Sequence, residues 1–416
     1  MSTSEPGGPV GTGGGPYLYQ VADLLWPGST LSARRADAGR ARPGAHFLAV
    51  PSRSRPAMLV PASPGAVAAT ALAGAKTGGT RRQRLLLRAV ALVARTGALR
   101  VLPSHVVVLP REGTDSSADI VSWLTAALGR DVRISLAGSP ARSNRKPVLQ
   151  VLGTSGQALG YAKIGTNDLT RWLVAREGRA LEQLAGSVPE GLRVPRVLAR
   201  GTWGPHEVLV QEALVPRGPQ SWTADELSRR MAAFARSGRV EEASVVDGRY
   251  VTSLRDRLEA LPPSPARDRL VSAASSLVAR HGAVLLQYGR WHGDWTPWNM
   301  ARQGPDLLLW DLERMEDGVP LGFDELHHHV QSAVVREHHA AEKAATGMVH
   351  NAEALLRSWR LDHRAARVTA LLYLLEIGAR YSADGQEEAG GALSGLADWL
   401  LPALESAGTW RDEVAS

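Results

Sequence analysis

The chain has 416 residues, of which 44% are hydrophobic and 21% charged, a composition ordinary for a soluble globular protein of two or three domains. It has no cysteine, which excludes disulfides, cysteine-ligated zinc and thiol catalysis. The net charge of +7 is spread over a long chain and is only weak evidence for an anionic partner. No apolar run reaches the ~18 residues of a membrane-spanning helix and no secretory signal is visible, so we expect a cytoplasmic protein.

The first quarter of the chain is characterised by composition more than by motif. Residues 1–16 are rich in Gly, Pro and Ser and are predicted to be a disordered tail. Residues 17–113 are predicted to form a small accessory α/β domain, because short strand-like runs accompany an Ala-rich helical stretch. The strand-like runs are His46 to Val50, Ala57 to Val60 and Val106 to Leu109, and the helical stretch is Pro64 to Ala75.

Within this region, residues 80–100 combine a helical pattern with six arginines and no acidic residue. A basic amphipathic stretch of this kind can lie on an anionic membrane surface. The alternative is a solvated arginine face over a core stripe of Ala, Leu and Val, and both interpretations stay open. No nucleic-acid partner is expected, because no recognisable motif accompanies the positive charge.

From about residue 114 onward, strand-like runs come first and helices later. Within the strand-rich part, one helix opens at Ser116 to Asp119 and another covers Asp168 to Leu184. This order predicts an α+β protein with a sheet-rich lobe over 114–215 and a helical lobe over 216–416. The strand-like runs of the first lobe are Val132 to Leu136, Val148 to Leu152, Ala158 to Ile164 and Val208 to Glu212.

The strongest functional signal is the run WHGDWTPWN at 291–299, which is followed by an apolar strand ending in Asp311. In phosphoryl transfer, one carboxylate orients the attacking hydroxyl and accepts its proton, while a side-chain carbonyl and a second carboxylate hold Mg²⁺ against the nucleotide phosphates. Asp294, Asn299 and Asp311 supply these three groups within one loop-and-strand unit. Turn formation alone explains an Asp and an Asn near Gly and Pro, but not the strand that ends in a second Asp.

The motif HGDWTPWN resembles the catalytic loop of aminoglycoside phosphotransferases and their relatives, including choline and fructosamine kinases, and LLLWDLE is similar to their metal-binding strand. The resemblance implies a bilobal protein-kinase-like fold, the cofactors ATP and Mg²⁺, and a small-molecule hydroxyl acceptor such as a sugar, aminocyclitol or amino alcohol. It assigns Asp294 as the catalytic base and Asn299 and Asp311 as Mg²⁺ ligands. His292 would support the loop, and Asp324 would cap the next helix and brace the loop.

A kinase of this type also needs a strand lysine on the phosphates and a helix glutamate that orients it. Lys163 lies on the run Ala158 to Ile164, and Glu177 lies inside the apolar stripe of the following helix. A carboxylate in such a stripe is costly unless it is paired, so the sequence predicts a Lys163–Glu177 pair. Glu182 is a poorer candidate, because it lies on the polar face of the helix.

The chain lacks the G-x-G-x-x-G loop with which protein kinases cover the phosphates. The resemblance implies instead that Gly138 and Ser139 cradle them, with Arg142 or Arg145 adding positive charge. The nucleotide base would lie against the segment that contains Gln211, Glu212 and Leu214.

Three further features leave alternatives open. His327 and His338 share a helical face but would be roughly 16 Å apart, too far for one metal ion, so polar helix histidines are predicted there. Trp295 and Trp298 lie within the catalytic loop, where packing and stacking on a ligand are equally open. The second functional class is a catalytically inactive, nucleotide-binding scaffold on the same fold, docked to a membrane through residues 80–100.

Overall fold

The computed structural model describes residues 15–42, 44–74, 89–101, 103–110, 119–138, 143–218, 220–385, 393 and 395–408. The chain divides into two compact units. The first comprises residues 1–141, 145–171 and 198–213, and the second comprises residues 142–144, 172–197 and 214–416. The predicted α+β class is confirmed, because the first unit contains a large antiparallel sheet and the second is mainly helical.

The first unit is built on a nine-stranded sheet with the order β1-β4-β2-β3-β5-β6-β7-β10-β9. Neighbouring strands pair antiparallel from β1 through β10. The strands are β1 Ser29–Ser32, β2 His46–Val50, β3 Met58–Pro61, β4 His105–Pro110, β5 Val132–Ala137, β6 Val148–Gly153, β7 Ala158–Gly165, β9 Val197–Trp203 and β10 His206–Glu212.

Successive side chains of a strand point to opposite faces of a sheet. In this sheet, apolar side chains cover both faces. One face packs against helices α1 (Gly15–Leu25) and α3 (Ile120–Leu128). The opposite face packs against helix α2 (Gly65–Ala73) and the helical residues 89–95. The unit therefore has two apolar layers, one on each side of the sheet.

Helix α1 corrects the prediction of a disordered tail up to residue 16, since Gly15 and Pro16 are already helical. The helix is held by a buried stripe at i, i+3, i+4 and i+7 spacing. This stripe consists of Leu18, Val21, Ala22 and Leu25. The rest of the predicted tail, residues 1–14, lies outside the described residues.

A separate accessory domain over residues 17–113 is not confirmed, because its strands belong to the same sheet as the predicted kinase-like lobe. Strand β3 pairs directly with β5, so that Met58 lies opposite Ala137 and Leu59 opposite Leu136. Strands β3 and β5 also belong to the same compact unit, the first. The N-terminal strands thus extend one continuous sheet.

Two predicted features lie only partly within the described residues. Residues 80–88 of the basic stretch lie outside the described residues. In the helical part of the stretch that is described, Leu92 and Val93 are exposed. Of the predicted cap before α3, only Asp119 is described. It is itself the N-cap, and its carboxylate accepts a hydrogen bond of 2.9 Å from the Ser122 N–H.

The second unit is mainly helical and contains two three-stranded sheets, β11-β12-β15 and β13-β14-β8. Its strands are β8 Leu192–Arg193, β11 Glu241–Ser244, β12 Leu285–Trp291, β13 Met300–Gln303, β14 Asp306–Leu309 and β15 Glu316–Pro320. Its helices are α4 Asp168–Leu184, whose first residues belong to the first unit, α5 Ala224–Ala235, α6 Arg249–Glu259, α7 Pro265–His281, α8 Phe323–Gln331, α9 Ala341–His350, α10 Ala352–Leu355, α11 His363–Ala383 and α12 Leu396–Gly408. None of the helices in the described part of the chain is long and apolar enough to cross a membrane.

Helix α11 runs through the core of the second unit and is buried on most of its surface. The buried Glu376 on this helix is stabilised by Arg257, whose two terminal nitrogens donate to the carboxylate at 3.0 and 2.6 Å. The Tyr250 hydroxyl donates to the same carboxylate at 2.6 Å. Because the charge is paired, α11 can pass through the core while it carries polar residues.

Candidate active site

The loop 292–299, which joins β12 to β13, carries three of the predicted site residues, His292, Asp294 and Asn299. Strands β13 and β14 form a hairpin in which Met300 lies opposite Leu309. One residue earlier, the Asn299 carbonyl accepts a hydrogen bond of 3.1 Å from the Trp310 N–H. The hairpin therefore places Asn299 beside the chain segment that enters Asp311, although twelve residues separate the two in sequence.

Both carboxylate oxygens of Asp294 are held by side chains. His327 Nε2 lies 3.0 Å from Oδ1, and Asn299 Nδ2 donates to Oδ2 at 2.8 Å. Even so, 37% of the Asp294 side chain is exposed, so the carboxylate is oriented and still accessible to a reactant. Each oxygen keeps a further lone pair that could accept a proton.

The charge state of Asp294 is set by competing effects. Burial raises the pKa of this carboxyl, but the hydrogen bond from His327 and the electrostatic influence of His327, Arg380 and His292 outweigh it, so the pKa is lowered. Arg380 also donates a hydrogen bond of 2.5 Å to the Gly293 carbonyl, next to Asp294 in the chain. The carboxylate is therefore ionised at neutral pH, which is the form a general base requires.

His292 links the loop to Trp310, the residue directly after β14. Its Nδ1 accepts a hydrogen bond of 3.1 Å from the Asp294 N–H, so Nε2 carries the proton and donates to the Trp310 carbonyl at 3.0 Å. The ring is fully buried and must be neutral to make both contacts. These contacts agree with the loop-supporting role predicted for His292.

The neutral state of His292 leads to a pH prediction. Burial lowers the pKa of His292 to about 4, against the opposing influence of Asp294 and Asp311. An unfolded histidine binds its proton near pH 6.5, so the unfolded state gains protons first as the pH falls, and stability decreases between about pH 6.5 and 4. We predict that this residue lowers the free energy of unfolding by about 2 kcal/mol at pH 5 relative to pH 7.5.

The variant His292→Asn isolates this contribution, because its side-chain oxygen can still accept from the Asp294 N–H. Urea unfolding at pH 5 and pH 7.5 should show a smaller pH difference in the variant than in the wild type. Equal differences would show that His292 does not titrate in the predicted window.

Asp324 braces the loop from helix α8. Its carboxylate accepts hydrogen bonds from the His292 N–H at 2.8 Å and the Gly293 N–H at 3.2 Å. The predicted bracing is therefore confirmed, but the predicted capping is wrong. The N-cap of α8 is Gly322, and the Asp324 carboxylate is directed to the loop and not to the first turn of its own helix.

The close approach of Gly293 to its neighbours predicts a large effect of any side chain there. Gly293 has φ +84°, and a Cβ atom would lie 2.4 Å from the Arg314 carbonyl oxygen. We predict that Gly293→Ala lowers the free energy of unfolding by roughly 3 kcal/mol, from left-handed strain and overpacking together. Gly318→Ala is the matched control, because Gly318 has φ +77° with nothing within 4 Å of a Cβ. Equal losses in urea unfolding of the two variants would contradict the close contact.

Asp311 adopts an unusual backbone conformation for a residue other than glycine. Its φ is +66° and its ψ is +51°, in the left-handed region, immediately before the 3-10 turn Leu312–Arg314. Asp and Asn tolerate this region better than other side chains do. A strained backbone at a residue predicted to bind a metal is consistent with a functional position, since such conformations cluster at active sites.

The donor atoms present at the site fit Mg²⁺. Both contacts of the Asn299 amide use Nδ2, which donates to the Asp294 carbonyl at 3.1 Å and to its carboxylate, so the amide oxygen is the remaining ligand atom. An amide oxygen and a carboxylate are ligands that Mg²⁺ prefers. No group of three or more His, Asp and Glu side chains that could hold a metal is found among the described residues. A magnesium ion here would take its other ligands from nucleotide phosphates and water.

Lys163 and Glu177 lie in different units of the chain. Lys163 is 4% exposed in the middle of β7, opposite Val148 on β6 and Leu209 on β10. Glu177 is completely buried on α4, as its place in the apolar stripe predicts. A lysine and a glutamate buried to this degree both require charge partners. The Lys163–Glu177 pair itself stays a prediction.

The predicted phosphate loop is described only in part. The Gly138 N–H donates to the Ala57 carbonyl at 2.8 Å and continues the β3–β5 pairing, so it would have to leave this bond to reach a phosphate. Ser139 and Arg142 lie outside the described residues. The Arg145 guanidinium lies 3.2 Å from the centre of the Tyr17 ring, a cation–π contact within the first unit.

The predicted base-binding segment follows the end of β10. Gln211 is buried, whereas Glu212 and Leu214 are partly exposed. Their contact with a nucleotide stays a prediction.

No family model matches this chain, and no curated protein matches it. Several solved structures are similar to this chain in fold, and the three that follow are described as small-molecule kinases or phosphotransferases. A putative fructosamine-3-kinase from Thermobifida fusca YX-ER1 is 15% identical over 70% of this chain and 98% of its own, with a TM-score of 0.45. Aminoglycoside phosphotransferase APH(4)-Ia is 11% identical over 71% of this chain and 98% of its own, with a TM-score of 0.45. An amicoumacin kinase is 13% identical over 66% and 87%, with a TM-score of 0.41.

The two tryptophans of the loop 292–299 differ in their exposure to solvent. Trp295 is completely buried, with its ring against Phe234 and His292 at centroid distances of 5.6 and 5.8 Å. Trp298 is 37% exposed. Trp295 therefore packs the loop, and only Trp298 is open to a ligand.

The prediction of polar helix histidines is wrong for His327, which is fully buried and contacts Asp294. The sequence carried a signal for this burial. His327 follows Phe323 by four residues and precedes Val330 by three, so it lies in the apolar stripe of α8. The helical periodicity that predicted the burial of Glu177 also predicts the burial of His327.

Proposed function

We propose that this chain is an ATP-dependent phosphotransferase that transfers the γ-phosphate to a hydroxyl group of a small molecule. The observation that carries this proposal is the state of Asp294: a carboxylate with a lowered pKa, held on both oxygens and still partly exposed. A carboxylate that only makes a turn has no need for two side-chain partners and a braced loop. Orientation, ionisation and access are the three properties that a general base requires.

In the proposed reaction, Asp294 accepts a hydrogen bond from the acceptor hydroxyl and aims its oxygen at the γ-phosphorus. The oxygen–phosphorus bond forms as the bond from the γ-phosphorus to the β,γ-bridging oxygen breaks, and the hydroxyl proton passes to Asp294. The products are a phosphate ester and ADP. His292, Asp324 and Arg380 keep the loop in place during this step through their contacts with its backbone.

The remaining predicted residues have roles on the nucleotide side. The Asn299 amide oxygen and the Asp311 carboxylate would hold Mg²⁺, which when bound neutralises the charge of the nucleotide phosphates. Lys163 would contact the phosphates, with Glu177 as its partner. The buried positions of both charges support this assignment, because neither is placed where water would satisfy it.

The proposed acceptor is a sugar, an aminocyclitol or an amino alcohol. Trp298 supports this choice, because its exposed ring stands one residue before Asn299 in the same loop as Asp294. An indole face can stack on a sugar ring or lie over an ammonium group. The partner is therefore expected to be a small molecule with a hydroxyl and an apolar or cationic face.

The test is release of ADP from Mg·ATP in the presence of a panel that covers these three classes of acceptor. We expect acceptor-dependent ADP release by the full-length protein with at least one class, and none without divalent metal. The proposal fails if nucleotide binds but no acceptor raises ADP release above its value without acceptor.

A second candidate is the catalytically inactive, nucleotide-binding scaffold. The hydrogen bond from the Gly138 N–H to the Ala57 carbonyl favours the scaffold, because a phosphate-binding loop normally leaves its N–H donors available to the phosphate. Against it, the predicted base, metal ligands, lysine and glutamate are all retained. Membrane docking through residues 80–100 belongs to this second candidate and is tested by sedimentation with anionic vesicles, which the scaffold should bind and the enzyme need not.

A further inference from the structure

A chain of three side chains runs from helix α11 through helix α8 to the loop. The Tyr373 hydroxyl lies 3.0 Å from His327 Nδ1, and His327 Nε2 lies 3.0 Å from Asp294 Oδ1. Tyr373 and His327 are both buried, whereas Asp294 is partly exposed. The chain thus leads from the core of the second unit to the accessible carboxylate.

The hydrogen-bond donors in this chain follow from the chemistry of its ends. An ionised carboxylate can only accept, so the hydrogen between His327 and Asp294 belongs to Nε2. Burial lowers the pKa of His327, so its imidazole is neutral. With the proton on Nε2 the ring accepts at Nδ1, so Tyr373 is the donor there. The Asp294 carboxylate thus fixes the tautomer of His327, and the Tyr373 hydroxyl satisfies the other ring nitrogen.

We infer that His327 is a positioning residue for Asp294 and that the Tyr373 hydroxyl holds the imidazole ring of His327 in place; this inference rests on the proposed function. His327 occupies one lone pair of Oδ1 while Asn299 occupies one of Oδ2. The rotation of the carboxylate about its χ2 angle is thereby restricted from both sides. One lone pair remains on each oxygen, and the partial exposure of Asp294 leaves room for an acceptor hydroxyl to reach it.

The location of His327 argues against a purely structural histidine. It occupies a position in the stripe of α8 between Phe323 and Val330, where an apolar side chain would pack without any polar partner. Burying an imidazole at such a position costs free energy unless its two nitrogens are satisfied. Here both nitrogens are satisfied, and one of the partners is the residue that the proposed reaction needs most.

Steady-state kinetics of His327→Leu, His327→Gln and His329→Leu test the inference. We expect kcat of His327→Leu to fall roughly 10- to 100-fold, the cost of misplacing a reacting group by about 1 Å, with the KM values for nucleotide and acceptor nearly unchanged. His327→Gln retains an N–H at the reach of Nε2 and should recover most of kcat. His329→Leu is the matched control on the same helix and should behave as the wild type.

Loss of activity in both His327 variants, or a change in KM with kcat unchanged, would overturn the inference. Tyr373→Phe keeps the test valid if His327→Leu does not fold. In ¹⁵N NMR of the wild type, His327 should show a protonated Nε2 and an unprotonated Nδ1. In Tyr373→Phe the proton should stay on Nε2, because Asp294 still accepts from it, and kcat should fall less than in His327→Leu. An unchanged kcat in Tyr373→Phe would contradict the role of the hydroxyl, and a protonated Nδ1 with an unprotonated Nε2 in the wild type would contradict the role of His327.

The outcomes also separate this inference from the proposed function. If wild type shows acceptor-dependent turnover and Asp294→Asn does not, the proposed function stands, and the His327 variants alone decide the inference. If Asp294→Asn turns over as the wild type does, Asp294 is not the base and the inference fails with it. If the wild type shows no acceptor-dependent turnover, the proposed function itself fails.

Discussion

Replacing Asp294 with asparagine is expected to lower kcat by about 10²- to 10⁴-fold, the contribution typical of a positioned general base. Asparagine preserves the size of the side chain and can still accept a hydrogen bond from His327 or Asn299 through its oxygen. Its amide nitrogen cannot accept the second of these bonds, and the side chain cannot take a proton from the acceptor hydroxyl. The loss should therefore fall on the chemical step.

Nucleotide binding separates this effect from a general loss of structure. The affinity of Asp294→Asn for Mg·ATP, measured by calorimetry, should stay within a few-fold of the wild type while kcat falls. Glu242→Gln removes one charge from an exposed position on β11 and should leave both quantities unchanged. A kcat for Asp294→Asn within a few-fold of the wild type would contradict the role of Asp294.

The second large effect is expected at Asp311. Asp311→Asn keeps a side chain that tolerates the left-handed backbone at φ +66°, so the fold should survive. The variant loses the only carboxylate among the two proposed Mg²⁺ ligands. The affinity for metal in the presence of nucleotide should fall by more than the roughly 10- to 100-fold that losing an outer partner of a metal ligand costs.

Electron paramagnetic resonance of Mn²⁺ titrated into the protein with a non-hydrolysable ATP analogue measures this affinity directly. Asp306→Asn, at the other end of the same hairpin, is the matched control and should bind Mn²⁺ as the wild type does. Turnover by Asp311→Asn should recover in part at high Mg²⁺ concentration, because the defect is one of affinity. Equal Mn²⁺ affinity in wild type and Asp311→Asn would remove Asp311 from the metal site.

The parts of the site that could be predicted from the sequence are those that are close together in it. Asp294, Asn299 and Asp311 lie within eighteen residues, and the hairpin that joins them has a visible turn and an apolar strand. The burial of Glu177 could be predicted as well, because helical periodicity is a local property. The hairpin and the burial of Glu177 are confirmed, because a short stretch of sequence determines each of them.

The parts that could not be predicted depend on pairing between distant segments. The joining of β3 to β5 brings Met58 to Ala137, and no local pattern indicates which strand edge another strand will meet. The contact of His327 with Asp294 likewise spans thirty-three residues. In this second case the local pattern did indicate burial, but not the partner, because three consecutive histidines also fit a polar helix face.

The most direct test of the central claim is ³¹P NMR of the wild-type protein with Mg·ATP and an acceptor identified from the panel. The proposed function predicts that the γ-phosphate resonance decreases as ADP and a new phosphate-ester resonance increase in equal amounts. Asp294→Asn should leave the ATP spectrum essentially unchanged over the same time. Formation of inorganic phosphate in place of the ester, or the same rate of ester formation in Asp294→Asn, would contradict transfer to a hydroxyl with Asp294 as the base.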